Sequence, residues 1–130
     1  MACILFVDDD PNMLETLDRS AQLFGHHAIT ADCGKEALEL ASTGSPDLIM
    51  TDMMLPDMDG VALLNHLRQD ITTASIPVVI LSASPEVDLA QLSELAGADS
   101  YLSKPVRLQT LQKVIERYTA GERDHDAGTG

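Results

Sequence analysis

Asp52 ends the run Asp47-Leu48-Ile49-Met50-Thr51-Asp52 and is followed by the turn Met53-Met54-Leu55-Pro56-Asp57-Met58-Asp59-Gly60. A second acidic group, Asp8-Asp9-Asp10, closes the other strongly apolar run, Cys3-Ile4-Leu5-Phe6-Val7. Carboxylates gathered at one edge raise each other's proton affinity and cost stability unless a cation joins them. Oxygen-only donors select a hard ion, so Mg2+ is the implied cofactor rather than zinc. Two further polar groups fall at the ends of apolar runs: Ser82 after Pro77-Val78-Val79-Ile80-Leu81, and Lys104 after Tyr101-Leu102-Ser103. The plainer alternative is that acids after strands cap helices, and Asp10, just before Pro11, is expected to do so.

These groups are useful only if the chain brings the run ends together. The runs at 3–7, 47–51 and 76–81 are short, bulky and without alternation, as in strands buried on both faces of a parallel sheet. Weaker strands fit 27–31 and 99–103. Between them lie helical patterns: Met13, Leu14, Leu17, Ala21 and Phe24; Ala37, Leu38 and Ala41; Val61, Leu64 and Leu67; Leu89, Leu92 and Ala96; Leu108, Leu111, Ile115 and Tyr118. Asp10-Pro11 and Ser84-Pro85 read as N-cap plus first-turn proline, and Gly25, Gly44 and Gly97 suit helix ends or the turns after them. The expected fold is α/β: a (βα)5 doubly wound, flavodoxin-like five-stranded parallel sheet in order 2-1-3-4-5, helices on both faces. That order makes strands 1 and 3 neighbours at the switch point, where ligands bind beyond the carboxyl ends of strands.

The 130 residues, 45% of them hydrophobic, suit one domain with one ordinary core. Its expected extent is 1–119, followed at 120–130 by a polar, glycine-containing tail or truncated linker. Cys3 and Cys33 lack disulfide-framework or zinc spacing and read as packed thiols. The N-terminal apolar stretch is too short for a signal or membrane segment, which points to a cytoplasmic protein. With 21 acidic against 8 basic residues and a formal charge of −13, direct contact with nucleic acid or an anionic membrane is not expected.

Taken together, Asp8-Asp9, Asp52 with Pro56 and Asp59-Gly60, Ser82-Ala83 and Lys104-Pro105 resemble the response regulator receiver domain of two-component signalling, the chemotaxis-regulator-like phosphoacceptor domain. The resemblance runs from residue 2 to about residue 119. It implies that Asp52 is the phosphoacceptor, that Asp9 and Asp52 hold Mg2+ beside Asp8, and that Met54 adds its backbone carbonyl. Lys104 and Ser82 are then the partners of the phosphoryl oxygens, and the Lys104–Pro105 peptide is cis. Positioning and charge neutralisation matter more in phosphoryl transfer than acid-base chemistry, so this set is suited to it. Ser82 and Tyr101 fall at the switch positions, and Met54 and Ser84 at those that modulate dephosphorylation.

The implied donor is a sensor histidine kinase or a histidine phosphotransfer protein, recognised largely through helix 1 and the loop after strand 5. The implied output is a partner domain or protein reading the surface of helix 4, strand 5 and helix 5, through which a homodimer could also form. The protein is then a signalling switch that catalyses its own phosphorylation and dephosphorylation, not a turnover enzyme. Departures from the family pattern are Ser82 where threonine is common and Val106 where phenylalanine is frequent. Neither Met54 nor Ser84 can orient an attacking water strongly, which implies a longer-lived phosphoryl group.

Three other functions fit less well. An aspartyl-phosphate phosphohydrolase normally has Asp-x-Asp after its first strand, a mononucleotide binder would be repelled by three aspartates, and a pseudo-receiver would not keep Asp9, Asp52, Ser82 and Lys104 together. His26, His27, His66 and His125 lack metal-ligand spacing. Met50, Met53, Met54 and Met58 read as packing. Asp57-Met58-Asp59-Gly60 imitates part of a calcium loop, but Leu55 and His66 occupy its first and last ligand positions.

Overall fold

The computed structural model describes residues 1–83 and 98–129, with side chains as far as Thr119. Five strands, β1 (Cys3–Val7), β2 (His27–Ala31), β3 (Leu48–Asp52), β4 (Val78–Ser82) and β5 (Ser100–Ser103), form one sheet in the order β2-β1-β3-β4-β5. Every neighbouring pair is parallel, as the buried apolar runs require. Helices α1 (Pro11–Leu23), α2 (Gly34–Gly44), α3 (Gly60–Gln69) and a C-terminal helix (Leu108–Thr129) complete the described elements. The expected fourth helix, with its Ser84-Pro85 start and Gly97 end, lies outside the described residues. Among the described residues no helix is long and apolar enough to cross a membrane.

Alternation along the strands divides the core in two. Leu5, Val7, Ile49, Val78 and Ile80 pack on one face with Ala37, Ala41, Leu63, Leu64 and Leu67 of α2 and α3. Ile4, Phe6, Leu48, Met50, Val79 and Leu81 pack on the other with Leu17 and Ala21 of α1 and Leu111 and Ile115 of the C-terminal helix. Successive strand residues point to opposite faces, so a strand apolar at every position must be covered twice. Burying one such aliphatic side chain contributes about 1.5–3 kcal/mol, which is why the sheet centre dictates the architecture.

Local signals account for most boundaries. Asp10 is the N-cap of α1, its carboxylate accepting from the Asn12 amide at 3.0 Å, with Pro11 next in the first turn. Gly25 has φ +84°, the left-handed turn that ends α1. Gly44 is the last residue of α2, but the left-handed residue is Ser45, with φ 45°. A Cβ on Gly44 would lie 3.1 Å from Ile29 Cδ1, so this glycine serves close packing on β2.

Four elements differ from expectation, β5 in starting at Ser100 rather than residue 99. β3 is shifted by one residue and includes Asp52 itself. β4 begins at Val78, not residue 76. Pro77 has no amide to give to a ladder, and the Ile76 carbonyl is taken by Arg68 Nη1 at 2.7 Å. Helix also continues through most of the segment read as a polar tail, to Thr129. Adding residues to a helix already nucleated by packed turns costs little, and a glycine such as Gly121 costs only about 1 kcal/mol.

Candidate functional site

Register alone brings the sequence-distant polar groups together. Val7 pairs with Thr51, so the residues after them, Asp8 and Asp52, leave adjacent strands side by side. Asp52 pairs with Leu81, and Ser82, the last residue of β4, pairs with Ser103. The Lys104 amide then donates to the Ser82 carbonyl at 2.8 Å, tying the residue after β5 to the end of β4. Parallel pairing puts all these carboxyl ends on one edge.

Asp8 is buried, and both of its oxygens are engaged. Oδ1 accepts from the Asp10 amide at 2.9 Å and Oδ2 from Lys104 Nζ at 2.9 Å. The same Nζ lies 3.3 Å from Asp52 Oδ2. Asp9 is exposed at the rim, and oxygens of Asp8, Asp9 and Asp52 lie within 4.8 Å of one another.

The electrostatics follow from this crowding. Burial, opposed by the charge of Lys104 and reinforced by that of Asp8, holds the Asp52 carboxyl above the ordinary aspartate range. Burial works against the Lys104 ammonium, but the hydrogen bond to Asp8 and the charges of Asp52 and Asp8 outweigh it and raise its pKa. Three carboxylates face one ammonium, which leaves the pocket two charges short of neutral. A divalent cation with oxygen preference fits both that deficit and the donor set.

The turn after β3 adds a backbone group. Leu55 N–H donates to the Met58 carbonyl at 3.1 Å and Gly60 N–H to the Met53 carbonyl at 2.6 Å, flanking an antiparallel bridge between Met54 and Asp59. In such a pair the two bridged residues direct their own N–H and C=O away from each other. The Met54 amide accordingly hydrogen-bonds the Asp52 carboxylate. The Met54 side chain is 64% exposed, so it is the backbone of this residue that borders the pocket. A Cβ on Gly60 would sit 3.2 Å from Met53 Cα, so the close turn needs a small residue there.

Of the remaining expected residues, Ser82 is fully buried at the end of β4, and Tyr101, on edge strand β5, is 45% exposed. Ser84 lies outside the described residues. The Lys104–Pro105 peptide is cis. Cys3 and Cys33 are free thiols, with burial and then the charge of Asp47 raising the Cys3 pKa. The false calcium loop has another role: Asp59 caps α3, accepting from the Ala62 amide at 2.8 Å, and Asp57 caps α2 across the loop. Sequence reasoning missed Asp57. The available signal was Cys33, a poor N-cap residue standing where α2 begins.

Residues 4–116 match the family model of the response regulator receiver domain. The chain belongs to that family. The receiver is 33% identical over 121 residues to Protein PilH of Pseudomonas aeruginosa, covering 93% of this chain and all of that protein. It is 41% identical over 108 residues to the transcriptional regulatory protein PrrA of Mycobacterium tuberculosis, covering 83% of this chain but only 46% of that one. The receiver thus spans about half the length of several longer relatives. Among solved structures, the receiver domain of a signal transduction histidine kinase from Syntrophus aciditrophicus superposes with TM-score 0.85 at 32% identity, over 93% of this chain and 92% of that one. The chemotaxis response regulator CheY4 of Vibrio cholerae gives 0.81 at 31%, over 91% and 98%. The receiver and these relatives share the five-stranded 2-1-3-4-5 architecture, and receivers of this kind are signalling switches rather than classical enzymes.

Proposed function

We propose that this receiver accepts a phosphoryl group on Asp52 from a phosphohistidine of a sensor histidine kinase or a histidine phosphotransfer protein. The observation that carries the reading is the placement of Lys104 Nζ between Asp8 and Asp52, at 2.9 and 3.3 Å, beside a three-carboxylate pocket. An Asp52 oxygen attacks phosphorus, the P–N bond to the imidazole breaks, and an acyl phosphate forms. Lys104 neutralises phosphoryl oxygens, and the Ser82 hydroxyl donates to one of them. Asp9, Asp52 and the Met54 carbonyl would hold Mg2+, with Asp8 completing the acidic wall. When bound, the ion supplies charge neutralisation for the attacking carboxylate and the transferred group.

The new charge draws Ser82 toward the phosphoryl group, and Tyr101 moves inward from its exposed position. The surface built on strand β5 and the C-terminal helix, with the segment before β5, then changes for an output domain, a downstream protein or a second receiver. Residues 1–119 carry this switch, in the cytoplasm. Neither nucleic acid nor membrane is a direct partner of a surface this acidic.

Intact-mass analysis after incubation with Mg2+ and acetyl phosphate tests the reading. One phosphoryl adduct on the parent and none on Asp52→Asn is expected. A parent that stays unmodified in both Mg2+ and donor excess overturns it.

A further inference from the structure

Helix α2 begins without a cap of its own, since Cys33 makes no side-chain bond to the first-turn amides. Such amides otherwise need water or a borrowed acceptor. They borrow Asp57, from the turn that follows the phosphoacceptor strand. Its Oδ1 accepts from Gly34 N at 2.8 Å and its Oδ2 from Lys35 N at 2.9 Å. These two amides, Gly34 first, hold the Asp57 carboxyl below the ordinary aspartate range.

Packing seals the same contact. A Cβ on Gly34 would come within 2.5 Å of Met58 Cγ and Sδ, so helix start and turn meet with no spare room. Besides the bond from the Met53 amide to the Leu81 carbonyl of β4 at 2.9 Å, three contacts fasten the turn: its own bridge between Met54 and Asp59, the Asp59 cap on α3, and the Asp57 cap on α2. The first two fasten the turn to itself and to the helix that follows it. Of these three, only the third ties the turn to a helix that does not follow it. Asp57 lies three residues from Met54, whose backbone faces the carboxylate pocket.

We propose that Asp57 is a positioning residue, which by seating both oxygens on the first-turn amides of α2 fixes the turn so that the Met54 carbonyl faces the Asp8–Asp9–Asp52 pocket. This rests on the reading of that pocket as a Mg2+ site. Losing the α2 anchor lets the turn move and weakens the ion's hold, although Asp57 touches neither the ion nor the phosphoryl group.

The test is Mg2+ titration by calorimetry and amide NMR on the full chain, with Asp57→Ala, Asp57→Asn and the charge control Asp47→Asn. Asp47 accepts from the Cys3 amide at 2.8 Å, at the opposite end of β1. Removing an outer support of a metal site typically costs about 10–100-fold in affinity. Asp57→Ala is expected to weaken Mg2+ binding about tenfold. Asp57→Asn, which keeps one amide acceptor but loses the charge, should lose less, and Asp47→Asn should match the parent. Faster hydrogen exchange at Gly34 and Lys35 should accompany the loss in Asp57→Ala.

Parent-like Mg2+ affinity in Asp57→Ala overturns the inference, as does an equal loss in Asp57→Ala and Asp57→Asn, which would assign the effect to charge alone. If Asp57→Ala is unfolded at 25 °C, Asp57→Asn against Asp47→Asn decides, and equal affinities overturn it. Phosphoryl uptake by the parent is scored separately. A parent that binds Mg2+ but takes no phosphoryl group sinks the proposed function and leaves this inference standing, whereas a parent that binds no Mg2+ sinks both.

Discussion

Lys104 and Asp8 are 96 residues apart in the chain, and a 2.9 Å ion pair between Nζ and Oδ2 joins them at the carboxyl edge of the sheet. Asp8 is 1% exposed, and that ammonium and the Asp10 amide engage both of its oxygens. Breaking a buried pair from one side leaves an uncompensated charge, which costs more than the pair itself contributes.

Lys104→Ala should therefore destabilise the metal-free protein by about 3 kcal/mol, the lower end for a broken buried pair because the lysine retains some exposure. Urea unfolding without divalent ions measures it. Added Mg2+ should recover part of the loss, because it restores positive charge to the pocket. A variant as stable as the parent would show that water reaches Asp8 freely.

Asp52 adds a pH dependence opposite in sign to that of Asp57 and Asp70, whose carboxyls are held low by backbone amides. Its native pKa lies above that of the unfolded chain, so the ionised form is the one that folding disfavours. The penalty is absent below the unfolded pKa and complete above the native one, so the Asp52 contribution to metal-free stability, read as parent minus Asp52→Asn, should fall as pH rises through that interval. Asp52→Asn should remove this dependence and melt higher than the parent at pH 7 without metal. Protons compete with Mg2+ for the same oxygens, so Mg2+ affinity should weaken on acidification earlier than an ordinary aspartate would require. Melting curves from pH 3 to pH 7 with and without Mg2+ test both signs.

Met54 presents its backbone to the pocket and its side chain to solvent, where a thioether cannot orient an attacking water. Met54→Asn should speed loss of the phosphoryl group, by a factor of order 10 if the carboxamide acts as a positioned water holder. Timed intact-mass measurement of the phosphorylated protein gives the rate. An unchanged or slower rate removes the side chain at this position from the account of lifetime.

Tyr101 is 45% exposed, and Tyr118 donates its hydroxyl to the Asp99 carbonyl at 3.1 Å. In a Tyr118→Phe background, Tyr101 is the sole tyrosine. Its accessibility to acrylamide quenching should fall on addition of Mg2+ and beryllofluoride, a phosphoryl mimic. Ser82→Ala should blunt that fall, since the hydroxyl transmits the pull. Unaltered quenching on addition of the mimic would sever Tyr101 from the switch.

The strands and the α1 cap were legible because each rests on local or periodic physics. Ile4 to Val7 and Val78 to Leu81 are apolar at every position, which only a doubly covered strand tolerates. Asp10-Pro11 carries its cap and its missing amide in adjacent letters. Asp8, Asp9, Asp52, Ser82 and Lys104 could be chosen as a set because the doubly wound order sends all strand ends to one edge.

What the chain alone left open depended on partners remote in sequence. Asp57 looked like part of a failed calcium loop, and only the approach of the turn to α2 made it a cap on Gly34 and Lys35, 23 and 22 residues away. Gly44 read as a helix-end glycine and does end α2, but the nearness of Ile29, which leaves little room for a Cβ, and the left-handed turn at Ser45 came only with the fold. The start of β4 moved because Arg68 holds the Ile76 carbonyl, a contact made across a loop. Periodicity and capping are written in neighbouring residues, so the sequence determined the sheet, its order and the acidic edge. Burial, charge pairing and borrowed caps are sums over residues that meet only after folding, so the tertiary structure alone decided that Asp8 is buried on Lys104 and that Asp52 retains its proton more firmly than an exposed aspartate.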